Sequence, residues 1–145
     1  MYTMDRAEWL AFVMHGTRTG KLATVRKNGM AHVAPIWFLI DTVDGVDEIV
    51  FNTGADTLKG KALARDPRFA MVVDDERPPF SFVQFEAEAR MVDDPDELLK
   101  WATRLGARYM GEEAGEAFGK RNAVPSELLI RARITKVVAQ AEIAD

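Results

Sequence analysis

The sequence predicts a small antiparallel β-barrel with peripheral helices. Three observations carry that expectation. Six short runs have strand character, and turn signals or helical stretches separate them. One of them, residues 30–40, is apolar on both faces, so both faces need a cover. The helical stretches are few and short.

Taken in order, residues 4–15 have helical spacing, with Ala7, Leu10, Ala11 and Met14 on one stripe. "GKLATVRKNGMAHVAPIWFLID" reads as a hairpin with Asn28-Gly29 as its two-residue turn. In the second arm Ala34, Ile36, Phe38 and Ile40 line one face, and Val33, Pro35, Trp37 and Leu39 the other. "DEIVFNT" is a third strand. A short helix follows, with Asp56 as its N-cap and Asp66-Pro67 as its stop. "RFAMVVDD" is a fourth strand and "ERPP" a loop. "FSFVQFEAEARMV" is a fifth strand. Ser81, Val83, Phe85, Ala87, Ala89 and Met91 share one face; Phe80, Phe82, Gln84, Glu86, Glu88 and Arg90 share the other.

"DDPDELLKWATRLGARYM" opens on capping acids and continues as a helix whose buried stripe is Leu98, Trp101, Ala102, Leu105 and Tyr109. A shorter helix covers 113–120. "ELLIRARITKVVAQAEI" closes the chain as a strand, with Ile130, Ala132 and Ile134 alternating against Arg131, Arg133 and Thr135. With no repeat, linker or low-complexity tract, residues 1–145 read as one domain.

Composition narrows the function. The chain has no cysteine, which removes disulfides, thiolate metal sites and a cysteine nucleophile. A net charge of −4 gives no general attraction to nucleic acid, so any anion site is a local cluster. There is no signal-peptide pattern, and no apolar run approaches the ~20 residues of a membrane span. A cytoplasmic protein, without a nucleic-acid or membrane partner, is the expectation.

One stretch resists a plain structural reading. In "ADTLKGKALARDPRF", Lys59 and Lys61 fall at the start of a helix, where the backbone dipole is already positive. Gly60 between them costs a helix ~1 kcal/mol relative to alanine. Arg65 and Arg68 lie close by, partly balanced by Asp66. Solvated surface lysines are the commoner occurrence. The alternative is a bound phosphate or carboxylate, with Gly60 leaving room for it. Other candidates are weaker. His15 and His32 have no partner at metal-ligand spacing, so no metal site is expected. Glu86 and Glu88 read as a solvent-facing edge, and Trp37 as core. "TGKLAT" is not a complete phosphate loop, and Arg121-Asn122 reads as exposed loop.

"TLKGKALARDPRFAMVV" together with "KLATVRKNGMAHVAPIWF" resembles the flavin/deazaflavin oxidoreductase superfamily, which includes the pyridoxamine 5'-phosphate oxidase-like proteins. The resemblance runs from about Gly20 to the last strand. It implies a mainly β, six-stranded antiparallel split barrel of the FMN-binding type, and a homodimer with two cofactor sites at the interface. Lys59 matches the lysine that contacts the cofactor phosphate, with Lys61 as a second basic residue. The backbone from Thr53 through Gly54 and Thr57 to Leu58 would donate to the cofactor. Val33, Ala34, Pro35, Ile36 and Trp37 would line its ring system. Phe80, Ser81 and Phe82 would reach the cofactor of the other subunit.

True pyridoxamine-phosphate oxidases carry basic residues on the second and fifth strands, where this chain has "VAPIWFLI" and "SFVQFEAEA". "APIWF" and "TLKGKAL" look more like the branch that uses the deazaflavin coenzyme F420. The resemblance thus implies an F420-dependent reductase acting on a planar, electron-poor acceptor that stacks beside Trp37. An FMN flavoprotein and a non-catalytic cofactor carrier are the alternatives. The cofactor supplies the redox chemistry, so no catalytic side chain is required.

Overall fold

The computed structural model describes residues 1–145. In chain order the elements are β1 (Tyr2–Thr3), α1 (Arg6–Val13), β2 (Gly20–Val25), β3 (Ala31–Ile36), β4 (Leu39–Val43), β5 (Val46–Gly54), α2 (Leu58–Arg65), β6 (Arg68–Asp75), β7 (Ser81–Val92), α3 (Pro95–Met110), a 3-10 turn at Glu112–Ala114, α4 (Gly115–Asn122) and β8 (Glu127–Ala141). All strand pairings are antiparallel, in the order β3-β2-β6-β7-β8-β5-β4.

The two ends of that order, β3 and β4, are consecutive in the chain. The expected strand 30–40 is therefore two strands, broken at Trp37-Phe38. The first half pairs with β2 and the second with β5. One broken strand closes the sheet into a barrel. Counted once, with the two-residue β1 set aside, it leaves the six strands expected.

The break has a physical cause. Phe38 leaves the ladders on both sides, and α3 takes over its hydrogen bonds. The Phe38 amide donates to the Tyr109 hydroxyl at 3.2 Å, and Arg108 donates to the Phe38 carbonyl at 2.6 Å. Arg108 also donates to the carbonyls of Val13 at 2.7 Å and Gly16 at 3.0 Å, while the Tyr109 hydroxyl donates to that of Arg18 at 2.8 Å. Trp37 stacks on Tyr109, with centroids 5.1 Å apart and planes within 5°. The half-buried guanidinium and phenol thus bind the break to the α1–β2 loop.

One turn differs from expectation, and a second carries no expectation from the sequence. The β2–β3 connection is a three-residue turn rather than a two-residue one. Gly29 donates to the Arg26 carbonyl and Arg26 to that of Met30, both at 2.9 Å, and Gly29 has φ +88°. That is a type I turn followed by a left-handed glycine. The β4–β5 hairpin turns at Asp44-Gly45, both with positive φ, as a type I′ turn requires.

The core lies inside the barrel, around Leu22, Phe38, Ile49, Phe51 and Phe85. The fifth expected strand alternates as predicted: Val83, Phe85 and Ala87 are buried, whereas Gln84, Glu86 and Glu88 are exposed. Phe80, read as part of it, precedes it in the left-handed region at φ +64°. In α1 the buried residues are Trp9 and Val13, with Leu10 and Met14 packed beside them; Ala7 and Ala11 of the expected stripe are exposed. Trp9 meets Phe85 edge-on at 5.4 Å, and an aromatic side chain carries far more apolar area than an alanine. The expected α3 stripe holds: Trp101, Ala102 and Leu105 are buried, and Leu98 and Tyr109 half-buried. Asp94 caps it through the Asp96 and Glu97 amides.

Below α3, Arg131 donates to Glu48 at 3.1 Å and pairs with Asp41, and its guanidinium lies 5.2 Å from the Trp101 ring. Arg90 closes on Glu48 at 3.2 Å from the solvent side. The expected alternation of β8 holds at Ile130 and Ala132, but Arg131 is buried with them, made tolerable by its two carboxylates.

Candidate anion and cofactor site

The end of β5 and the start of α2 form one unit. Thr57, not Asp56, is the N-cap: its hydroxyl accepts the Gly60 amide at 3.1 Å and donates to the Gly54 carbonyl at 2.7 Å. The Thr53 hydroxyl lies 3.2 Å from that of Thr57. Asp56 stands exposed in the turn. With Gly60 taken by the cap, the Leu58 and Lys59 amides have no acceptor in the protein. They are two free donors at the positive end of a helix.

Gly60 has an internal cause. A Cβ there would sit 2.3 Å from the Gly54 carbonyl oxygen and 3.3 Å from that of Ala55. The glycine lets α2 press against the end of β5. The space above it is filled by backbone and offers no opening to a ligand.

The two lysines separate. Lys61 lines a cavity of about 240 Å³ with Arg26, Lys27, Asn28, Leu58 and Arg65. Four of these six residues are cationic, none is acidic, and none of the four forms an ion pair. Arg65 donates weakly to the Val25 carbonyl at 3.4 Å, which holds α2 beside the β2–β3 turn. Arg68 is absent from the group because it makes a double hydrogen bond to Asp66, at 3.0 and 2.8 Å. Those bonds draw the Asp66 carboxyl down to about 2. Arg26 and Lys27 are the residues that the sequence reading missed. They join the cluster only because the hairpin folds next to α2.

Lys59 lies on the other side, toward β8, where its charge acts on the Glu127 carboxyl. Glu127 is the register partner of Gly54 and accepts from Asn52 at 2.7 Å. Burial raises its proton affinity, and the Asn52 hydrogen bond and the Lys59 charge lower it in part.

The remaining expected residues are spread over several surfaces. Val33, 62% exposed, and Pro35 face outward from β3, while Ala34 and Ile36 face inward and Ile36 is buried in the core. One face of Trp37 is taken by Tyr109, and Phe118 lies 5.9 Å away, so within the chain Trp37 buttresses α3 and α4. Phe80, Ser81 and Phe82 border a cleft of about 530 Å³ with Lys21, Val72 and Ile143. In β2, Lys21 marks that cleft and Val25 the α2 end, roughly 13 Å apart along the strand. One chain therefore does not bring Phe80–Phe82 to the two lysines.

Comparison with known proteins decides the family. The model of the family described as pyridoxamine 5'-phosphate oxidase matches residues 6–141. The chain belongs to that family. Its structure agrees with solved members of the pyridoxamine 5'-phosphate oxidase fold. A conserved hypothetical protein of Mycobacterium tuberculosis has 27% identity and a TM-score of 0.79, over 96% of this chain and 86% of that one. A protein named F420 reductase has 24% identity and a TM-score of 0.65, over 88% and 94%. An FAD-binding protein of Mesorhizobium loti has 14% identity and a TM-score of 0.65, over 95% and 93%. A search of the curated proteins finds no match. The pyridoxamine 5'-phosphate oxidase-like family is one of flavin- and deazaflavin-binding proteins, mostly oxidoreductases, and the barrel closed by a broken strand is its split barrel. No helix is long and apolar enough to cross a membrane.

Proposed function

We propose that this protein is a coenzyme F420-dependent reductase that passes a hydride from the reduced deazaflavin to a small planar, electron-poor acceptor, such as an unsaturated lactone or quinone. The observation that carries this reading is the acid-free basic cavity beside α2. Four cations exceed what one phosphate monoester needs, and suit an extended polyanionic tail. The free Leu58 and Lys59 amides suit a phosphate at the helix start. The family and the likeness to a protein named F420 reductase agree with it.

In this reading Lys61, Arg26, Lys27 and Arg65 hold the anionic tail, and the α2 amides orient it. Val33 and Pro35 give the ring system an apolar, water-excluding surface. When bound, the deazaflavin supplies the hydride chemistry, and the chain supplies position and charge. FMN is the other candidate, favoured by the family description and the FAD-binding neighbour.

The test compares F420 with FMN in binding titrations at low and high salt. F420 is expected to bind more tightly, with an advantage that shrinks as salt rises. Lys61→Ala should weaken F420 binding by about 1.5–3 kcal/mol, the worth of a charge-assisted hydrogen bond. Lys59→Ala should cost less, because Glu127 already engages its charge. Lys61→Ala should not lower the melting temperature of the cofactor-free protein, since it removes an unpaired cation from near the positive end of a helix. Equal affinities for F420 and FMN at low salt would favour the flavoprotein. Unaltered F420 binding by Lys61→Ala would dismiss the basic cavity as the anchor. Turnover of reduced F420 with a panel of acceptors separates an enzyme from a carrier.

The family resemblance also leads us to propose a homodimer. Of the outer apolar face expected on residues 30–40, Trp37 and Leu39 are covered by α3. Val33 and Pro35 remain open, next to exposed Val25, Met30 and Ala31. A second copy over this strip should bury more than ~1,000 Å². Light scattering at micromolar concentration should give twice the mass of the 16.2 kDa chain; a monomer would dismiss the shared site.

A further inference from the structure

Glu127 stands where an anion-binding helix start has least use for it. Its Cα partner in the β5–β8 ladder is Gly54, the residue whose carbonyl anchors the Thr57 cap. One carboxylate oxygen accepts from Asn52 at 2.7 Å. The other has no donor in the protein and lies 3.7 Å from the point a Gly54 Cβ would occupy. The charged group that faces it is Lys59 from α2, and Asn52 from β5 is the polar one. The adjoining loop, Ala123 to Ser126, adds no charge. A half-buried carboxylate with an unused oxygen thus shares the start of α2 with two amides that have no acceptor.

We propose that Glu127 governs anion affinity at this site. As a carboxylate it attracts the Lys59 charge and repels a phosphate at the α2 start, and as the neutral acid it does neither. This rests on the anion-site reading given above. Its consequence is selectivity for where a ligand carries its charge. Above the titration of Glu127, anionic groups are accepted at the Lys61, Arg26 and Lys27 side and resisted beside Gly54. Burial moves that titration up from the ordinary carboxyl range, so the charge is lost at a higher pH than for a free glutamate.

The test measures F420 binding by equilibrium dialysis, for the full-length protein and Glu127→Gln, at about pH 8 and about pH 5.5. Glutamine keeps an oxygen for Asn52 and removes the charge. At the higher pH the variant should bind about tenfold more tightly, the order expected for deleting one nearby like charge in a half-exposed site. The ratio of the two affinities should narrow at the lower pH, which cancels any titration of the ligand itself. In a Lys59→Ala background the gain should shrink, because part of it is the release of Lys59. A ratio of one at both pH values would overturn the role of Glu127 while leaving the anion site standing. Absence of F420 binding by either protein at either pH would overturn the anion site, and Glu127's role with it.

Discussion

Arg108→Ala should lower the unfolding free energy by about 2–4 kcal/mol, the scale of losing a half-buried charged donor that several carbonyls share. The guanidinium donates to the Val13, Gly16 and Phe38 carbonyls and lies 4.8 Å from the centroids of the Phe38 and Tyr109 rings. A hydrogen bond to a charged group contributes roughly 1.5–3 kcal/mol, and three on one side chain are not additive. Alanine leaves the Phe38 carbonyl without that donor where β3 and β4 part, and those of Val13 and Gly16 at the end of α1 and in the loop after it. Arg108→Lys should recover only a fraction, because an ammonium cannot span carbonyls that a planar fork reaches. Denaturant unfolding measures both. A loss below about 1 kcal/mol for alanine would mean that the strand break holds without α3.

Glu48→Ala should be comparably severe, at about 3–5 kcal/mol, the usual cost of removing one partner from a buried ion pair. The Glu48 side chain is 8% exposed and that of Arg131 11%. Alanine would leave the Arg131 guanidinium with Asp41 alone, under the Trp101 ring. Replacing both charges, as Glu48→Leu with Arg131→Met, should cost far less than Glu48→Ala, because no uncompensated charge stays buried. If the double variant is as unstable as the single one, the network contributes through its shape and not its charges.

What could be read from the sequence follows from where each determinant sits. The β7 alternation was legible because one face meets the core and the other water, as at Phe85 and Glu86. The α3 helix was legible because its cap and stripe are local to it. The break at Trp37-Phe38 was not, because residues 30–40 are apolar throughout and the groups that satisfy Phe38 are Arg108 and Tyr109, some 70 residues away. The Asp44-Gly45 turn did carry a local signal, a dipeptide suited to positive φ, and it was passed over. Small alanines misled the reading of α1, where Trp9 decides the packing.

At the site, the charge conflict of Lys59 and Lys61 with the helix dipole was visible in the sequence alone. Its resolution depends on tertiary neighbours. Arg26 and Lys27 come from a hairpin, and Glu127 from a strand pairing, none of them close in sequence. Gly60 looked like room for a ligand because the nearby Gly54 carbonyl could not be foreseen.

The position of β8 in the sheet bears on how the chain is made. It follows all the other strands in the sequence, yet it lies between β7 and β5. Until Glu127–Ala141 emerges, the earlier strands can form only two pieces, β3-β2-β6-β7 and β5-β4, tied by the continuous chain. Each piece has an open edge and a half-covered apolar face, the kind of surface that invites pairing with other chains. Closure then joins residues far apart in sequence, Tyr2 to Ala141 among them. Such long-range pairing folds slowly, so the two pieces keep their open edges until β8 docks between them.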